Sequence, residues 1–386
     1  MKQGLITVFE VVLIAAVVCC NCWLIQTPLI DGWSMSLLDK YCQTISDIAF
    51  LDRYIKLHPT DWRAYRARAQ AYWVDSYWDR VVADSTQALE LKKDDVVSRR
   101  LRAYSYYQLD KDDASLSDYN ILINSGRGEA QDYAYRSLVN SQTKRFESAA
   151  SDAAIAVKKD SLCAPAYYAR GLSEFHGGSD KDALNDAKLA CQLDYELPMP
   201  YVLMAMIFNK KQKFDRAILM CEAGLQYDPT NGAAHWQIAA AQVNLKDYDK
   251  AIDSCTVALS LADHRAEKSG ALSTRALAQF HRSRNEEAIA DATKALIFDP
   301  ECLLAYEVRA MSHDRLNHTN EAAQDREAAK RIKERMTSFQ NKTSKSDQNN
   351  GTAVITKEQR EHNKIHESTN TLRPAPSIKD QRSHRK

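Results

Sequence analysis

The chain is poor in the residues that interrupt helices. It has 386 residues but only 11 Gly and 9 Pro, where average usage would give roughly 46 of the two together. Turn-dense folds need both, so the shortage argues against an all-β sandwich or barrel. Net charge is also close to absent, +1 from 52 basic and 51 acidic residues, which argues against a strongly cationic nucleic-acid binder. The balance is uneven along the chain: residues 337–386 hold ten Lys or Arg and five Asp or Glu, so this tail carries +5 and the rest −4. The nine cysteines are an odd number, most lie far apart, and Cys19, Cys20 and Cys22 sit inside an apolar run. That spacing suits neither a disulfide framework nor a zinc site. No P-loop, G-x-G-x-x-G, G-x-S-x-G or H-E-x-x-H occurs, so no catalytic residue, metal or cofactor is expected and the protein does not read as an enzyme.

What the chain does have begins at its most apolar stretch, Leu5 to Ile25. At about 1.5 Å per residue, 21 helical residues cover the ~30 Å of a bilayer core. Residues 1–27 therefore read as an uncleaved signal anchor or transmembrane helix, with a cleaved signal and a buried soluble helix as alternatives. Lys2 precedes the span, whereas Asp31, Asp39 and Lys40 follow it, which points the rest of a single-pass protein away from the cytoplasm.

Self-comparison reveals a 34-residue period, with units starting at Trp62, Val96, Ala130, Ala164, Pro198 and Gly232; a three-residue insertion near Ala262–Lys268 moves the last two starts to Ser269 and Leu303. Position 8 reads Ala69, Ala103, Ser137, Gly171, Ala205, Ala239, Ala276 and Ala310, and position 20 reads Val81, Ser115, Ala149, Ala183, Ala217, Ala251, Ala288 and Ala322. In two antiparallel helices joined by a short turn, positions of constant sum meet. Small residues at 8 and 20 let the helices close, while larger ones at 4, 11, 17 and 24 fill the rims. Position 4 is aromatic in five units (Tyr65, Tyr133, Tyr167, Tyr201, Tyr306), position 17 in four (Trp78, Phe146, Phe214, Tyr248), and position 32 is Pro229 or Pro300 in two.

A second correlation runs through the same units. Position 7 is Arg68, Arg102, Arg136, Arg170, Arg275 or Arg309, and sixteen residues later stands Asp84, Asp118, Asp152, Asp186, Asp291 or Asp325. The units with Met204 and Ile238 at position 7 also lack the acid, having Met220 and Ser254. Co-variation within one chain points to structural ion pairs across each hairpin. Residues 28–61 read as a degenerate capping half-repeat, with Ile45–Leu57 as its second helix and Trp33–Cys42 as a weak first one. Residues 336–386 are polar and basic and are expected to be disordered.

An aromatic at 4, small residues at 8, 20 and 27 and Pro at 32 make residues 62–335 resemble the tetratricopeptide repeat family. The resemblance implies an all-α fold, a right-handed superhelical solenoid of antiparallel helix pairs with about eight full repeats of 34 residues. It implies that first-helix positions 2, 5, 9, 12 and 13 line a concave groove for a protein or peptide of unknown identity. On this chain those places include Arg63, Arg66, Trp73, Arg100, Tyr104 and Tyr107 in the first two units. They also include Tyr168, Leu172, Phe175, Val202, Met206 and Trp236 in units four to six. The family's chaperone-tail clamp needs Lys and Asn where unit one has Arg66 and Gln70, then Asn where unit two has Leu101. Binding of chaperone tails through that clamp is therefore not expected. The function expected is a non-enzymatic interaction scaffold, tethered to a membrane through residues 5–25. The alternatives are a secreted or periplasmic soluble protein, or an adaptor whose basic tail binds anionic lipid or nucleic acid.

Overall fold

The computed structural model describes residues 48–262 and 264–350, with side chains as far as residue 335. Among the described residues there are seventeen helices and no strands. A single helix α1 (Ile48–Leu57) precedes eight helix pairs. The first four pairs are α2 (Trp62–Val74) with α3 (Trp78–Leu91), α4 (Val96–Gln108) with α5 (Asp112–Asn124), α6 (Ala130–Gln142) with α7 (Phe146–Lys159), and α8 (Ala164–His176) with α9 (Asp180–Leu193). The rest are α10 (Met199–Lys210) with α11 (Phe214–Leu225), α12 (Gly232–Asn244) with α13 (Tyr248–Leu261), α14 (Arg265–His281) with α15 (Asn285–Phe298), and α16 (Leu303–Arg315) with α17 (Thr319–Asn350). Within each unit neighbouring helices pack on one another, so the all-α solenoid expected from the period is the architecture observed. The chain divides within α4 into two compact units, one ending at Tyr106 and the other starting at Tyr107.

Two expectations about boundaries change. The insertion near Ala262–Lys268 puts helix ahead of the repeat start at Ser269: α14 starts at Arg265 and runs 17 residues, against 13 for α12 and α16, so the extra residues add a helical turn. The tail expected to be disordered from 336 is helical as far as Asn350, because neither Gly nor Pro interrupts the chain between Thr319 and Gly351. Residues 351–386, the anchor Leu5–Ile25 and the weak helix Trp33–Cys42 lie outside the described residues. Among those described, no helix is long and apolar enough to cross a membrane.

The reason the small residues recur is visible atom by atom. Ser137 Oγ at position 8 donates to the carbonyl of Ala149 at position 20 over 2.7 Å. A Cβ added at Gly171 would stand 3.1 Å from the carbonyl of Ala183, the same pair one repeat later. The backbones approach so closely that only a methyl, a hydroxymethyl or nothing fits between them.

Two turn devices replace the missing Gly and Pro. Position 15, between the helices of each pair, is left-handed in all eight repeats, at Ser76, Asp110, Lys144, Gly178, Gln212, Lys246, Ser283 and Asn317. Its N–H bonds the carbonyl three residues back, and the next N–H bonds five residues back, as in Lys246 to Val243 and Asp247 to Gln242. This closure satisfies the last carbonyls of the first helix and normally selects Gly. Only Gly178 obeys that preference. Between repeats, Asp160, Asp194, Asp228 and Asp299 at position 31 each accept the N–H two residues on at 2.9–3.0 Å. Asp thus makes the turn whether Pro follows it, as at Pro229 and Pro300, or is absent, as after Asp160 and Asp194.

Each unit has its own core. In the first, Ala69, Tyr72 and Val81 pack with Trp78 and Leu101. In the second, Ala134, Ala166, Tyr167, Ala187 and Leu203 belong to one cluster spanning three repeats. Further clusters form around Val202, Cys221 and Ala234 and around Ala276, Ala292 and Val308.

Candidate partner-binding surface

The charged pairs lie at the back of the hairpins and have little to offer a ligand. In five repeats the guanidinium grips its Asp with two parallel bonds. For Arg68–Asp84 both are 2.7 Å, for Arg136–Asp152 2.8 and 2.5 Å, and for Arg170–Asp186 2.6 and 2.8 Å. Arg275–Asp291 gives 2.7 and 3.0 Å, and Arg309–Asp325 gives 2.8 and 2.6 Å. Asp118 is buried like the other acids. The remaining guanidinium nitrogen does a job the sequence did not reveal. Nη1 reaches back to position 25 of the preceding repeat: Arg68 to Asp52, Arg102 to Thr86, Arg136 to Asn120, Arg275 to Thr256 and Arg309 to Thr293. Five donors in a rigid fork let one Arg join its own two helices and the helix behind. A polar residue recurring at position 25 was the available signal. Where Arg is absent, Ser254 Oγ donates to Gln242 instead, at 2.8 Å.

The first-helix residues proposed for the groove separate into three groups. Some are packing residues. Tyr168 and Val202 are buried, and Trp236 donates from Nε1 to Thr274 Oγ1 at 3.0 Å. Its ring fills the space over Gly270, where an added Cβ would fall 2.2 Å from Trp236 Cζ2. Trp236 thus braces α12 against α14. Gly270→Ala is expected to displace that ring and cost about 1–3 kcal/mol by overpacking, measured as a drop in thermal midpoint and reversed by Trp236→Phe in the same chain.

A second group is engaged with neighbours in the fold. Arg66 lies over the Trp62 ring at 4.9 Å and pairs with Asp95 at 3.3 Å. Asp95 also accepts the Ser98 N–H at the start of α4, so Arg66 links the end of one repeat to the next. Tyr107 meets the His264 ring at 5.3 Å, and Phe175 lies under the Lys210 ammonium at 5.1 Å. Leu172 and Met206 are half-buried against the clusters beneath them. Arg100 is half-buried on α4.

The third group faces solvent. Arg63 is exposed beside Trp62. Trp73 is 40 % exposed and stands edge-on to Trp78, with Tyr104 5.8 Å away. Next to it Val74 and Tyr77 are 70 % and 52 % exposed, and Arg80 lies over Tyr77 at 5.3 Å. Val74, Tyr77 and Arg80 were not anticipated, because two of them fall in or after the turn rather than on the helix face.

No described group of three or more His, Cys, Asp or Glu could hold a metal ion. Burial pushes the thiols of Cys191, Cys221 and Cys255 up to about 12, so they behave as small apolar groups.

Stacked hairpins closed on small residues, joined repeat to repeat by Arg, make an all-helical repeat fold similar to that of tetratricopeptide proteins. Residues 142–194 match the family model of the tetratricopeptide repeat. The Hsp70-Hsp90 organising protein of Plasmodium falciparum (isolate 3D7) is 36 % identical over 52 residues, which are 14 % of this chain and 9 % of that protein. Among solved structures, the APC/C hetero-tetramer Cut9-Hcn1 aligns with a TM-score of 0.61 at 15 % identity, over 74 % of this chain and 55 % of that one. The human IFIT1 dimer with PPP-AAAA aligns at 0.52 with 15 % identity, over 70 % and 72 %. The likeness to these structures is one of fold. This chain spans 9 % of the curated relative's length and about half of the Cut9-Hcn1 chain.

Proposed function

We propose that the protein is a non-enzymatic scaffold that holds a protein partner against the exposed aromatic and basic face of its first repeat. The observation that supports this is the solvent-facing set Arg63, Trp73, Val74, Tyr77 and Arg80, apolar at its centre and cationic at its edges. Such a face suits a peptide with an aromatic or aliphatic anchor between acidic residues, because the anchor is desolvated by the rings while the acids meet Arg. Proximity labelling in the source cell supplies the candidate partner. Its affinity for the full chain is then expected to fall about tenfold with Trp73→Ala or Arg63→Glu, while the helical circular dichroism stays unchanged. Undiminished affinity in both variants would remove this face from consideration. Arg66 and Trp236 are unsuited to the test, since changing either disturbs a contact between repeats.

The scaffold is proposed to be tethered through residues 5–25, with the repeats on the non-cytoplasmic side. The length and apolarity of that segment support the tether. Flotation with phospholipid vesicles tests it: the full chain should float and a chain starting after Ile25 should not.

A further inference from the structure

Within the unit that starts at Tyr107, the helical stack returns on itself. Asp110, at the left-handed turn position of the second repeat, accepts the backbone N–H of Arg265 at 2.7 Å. Its other oxygen lies 2.9 Å from His264 Nδ1 and accepts Gln142 Nε2 at 2.9 Å. The carboxylate thereby sits at the N-terminus of α14, where free N–H groups and the helix dipole favour an anion. One repeat on, at the same turn position, Lys144 Nζ meets Glu301 at 2.9 Å and Asp299 at 3.5 Å. The separations, 154 residues for Asp110–His264 and 157 for Lys144–Glu301, are nearly equal. Two successive turns thus contact two successive linkers in one register.

The first contact falls at the extra helical turn of α14, with His264 just before the helix and Arg265 its first residue. The same turn carries Glu267; burial first, and then this carboxylate, push the Tyr168 hydroxyl above its ordinary range. Tyr168 occupies a first-helix position that the sequence assigned to an open groove, yet only 7 % of its surface is accessible.

We propose that Asp110 with His264 and Arg265, and Lys144 with Glu301, form an intramolecular clasp that shuts the first-helix face around Tyr168, so that a partner can use this face only after the clasp releases. The outer half of the clasp, Lys144 with Glu301, is suited to release, whereas Asp110 and His264 are largely buried. Lys144 and Glu301 are 52 % and 42 % exposed, and pairs so exposed are weak and screened by salt. The gating role adds this face to the first-repeat face proposed above as a second place for a partner, whereas the closure stands without it.

Nitration of tyrosines by tetranitromethane in the full chain, resolved by peptide mass spectrometry, tests the closure without any partner. Tyr195, 56 % exposed, is the accessible reference, and Tyr119, fully buried, reports loss of folding. In wild type Tyr168 should be protected. Asp110→Ala with Lys144→Glu should raise Tyr168 nitration relative to Tyr195 about tenfold, as expected for a tenfold larger open population, with Tyr119 still protected. Tyr168 remaining protected in the folded double variant would overturn the clasp. Should the double variant lose Tyr119 protection, the milder Asp110→Asn with Lys144→Gln decides: Tyr168 staying protected there, with Tyr119 protected, would overturn the clasp equally.

Discussion

Asp152→Ala is expected to destabilise the protein by about 3–5 kcal/mol, one of the two largest effects foreseen for a single side chain. Asp152 is buried and accepts three bonds, two from Arg136 and one from Asn140 Nδ2 at 3.1 Å. Its removal strands a guanidinium that is 18 % exposed. Arg136 retains its bond to Asn120 and its place over the Tyr133 ring, neither of which supplies a full negative charge. The cost comes from the unpaired charge rather than from the lost attraction. Replacing both partners, as Arg136→Met with Asp152→Leu, should therefore recover most of the loss. Urea denaturation of the three chains measures this, and a double variant as unstable as Asp152→Ala would refute the explanation.

Glu174→Gln is expected to do the opposite and stabilise. Glu174 occupies in the fourth repeat the place that Asn140 holds in the third, beside the Asp of the Arg–Asp pair. Asn140 can donate to Asp152, whereas an ionised Glu174 could only repel Asp186. Burial first, and then Asp186, push the Glu174 carboxyl from its ordinary 4.5 up to about 8, and Oε2 is buried without a hydrogen-bond partner. Between those two values the unfolded chain gives up the proton and the folded one keeps it. Stability therefore falls as pH rises from about 4.5 to about 8 and levels off above. At pH 7 the penalty is on the order of 2–3 kcal/mol. Gln stays neutral and can donate to Asp186 as Asn140 does to Asp152. Thermal midpoints of both chains from pH 5 to pH 8 check it: wild type should decline faster than Glu174→Gln. Parallel declines would show that Glu174 titrates normally.

These two residues also mark how far the amino-acid pattern could be read. A spacing of sixteen residues was enough to pair Arg136 with Asp152, because two helices joined by a short turn have only one register. It could not show that Arg Nη1 continues to position 25 of the repeat behind, since that depends on how repeats are rotated against each other. The groove was harder for the same reason. Trp73 and Trp236 both stand on first helices, yet one is 40 % exposed and the other is wedged against Gly270 and Thr274. What separates them is the neighbouring helix, not their own segment.

The shortage of Gly and Pro was a sound guide to helix content and a poor guide to the turns. Local chemistry determined that the chain would be a stack of helix pairs: small residues every 34 positions permit close backbone approach, and few breakers interrupt the helices. Tertiary structure alone decided that Asp110, Lys144 and five other non-Gly residues adopt the left-handed conformation. It also decided that Asp110 meets a helix end 155 residues away. A left-handed residue costs about 1–2 kcal/mol, a strain that only the closure of each hairpin offsets. A contact at such separation exists only once the small rotation per repeat has accumulated over several repeats.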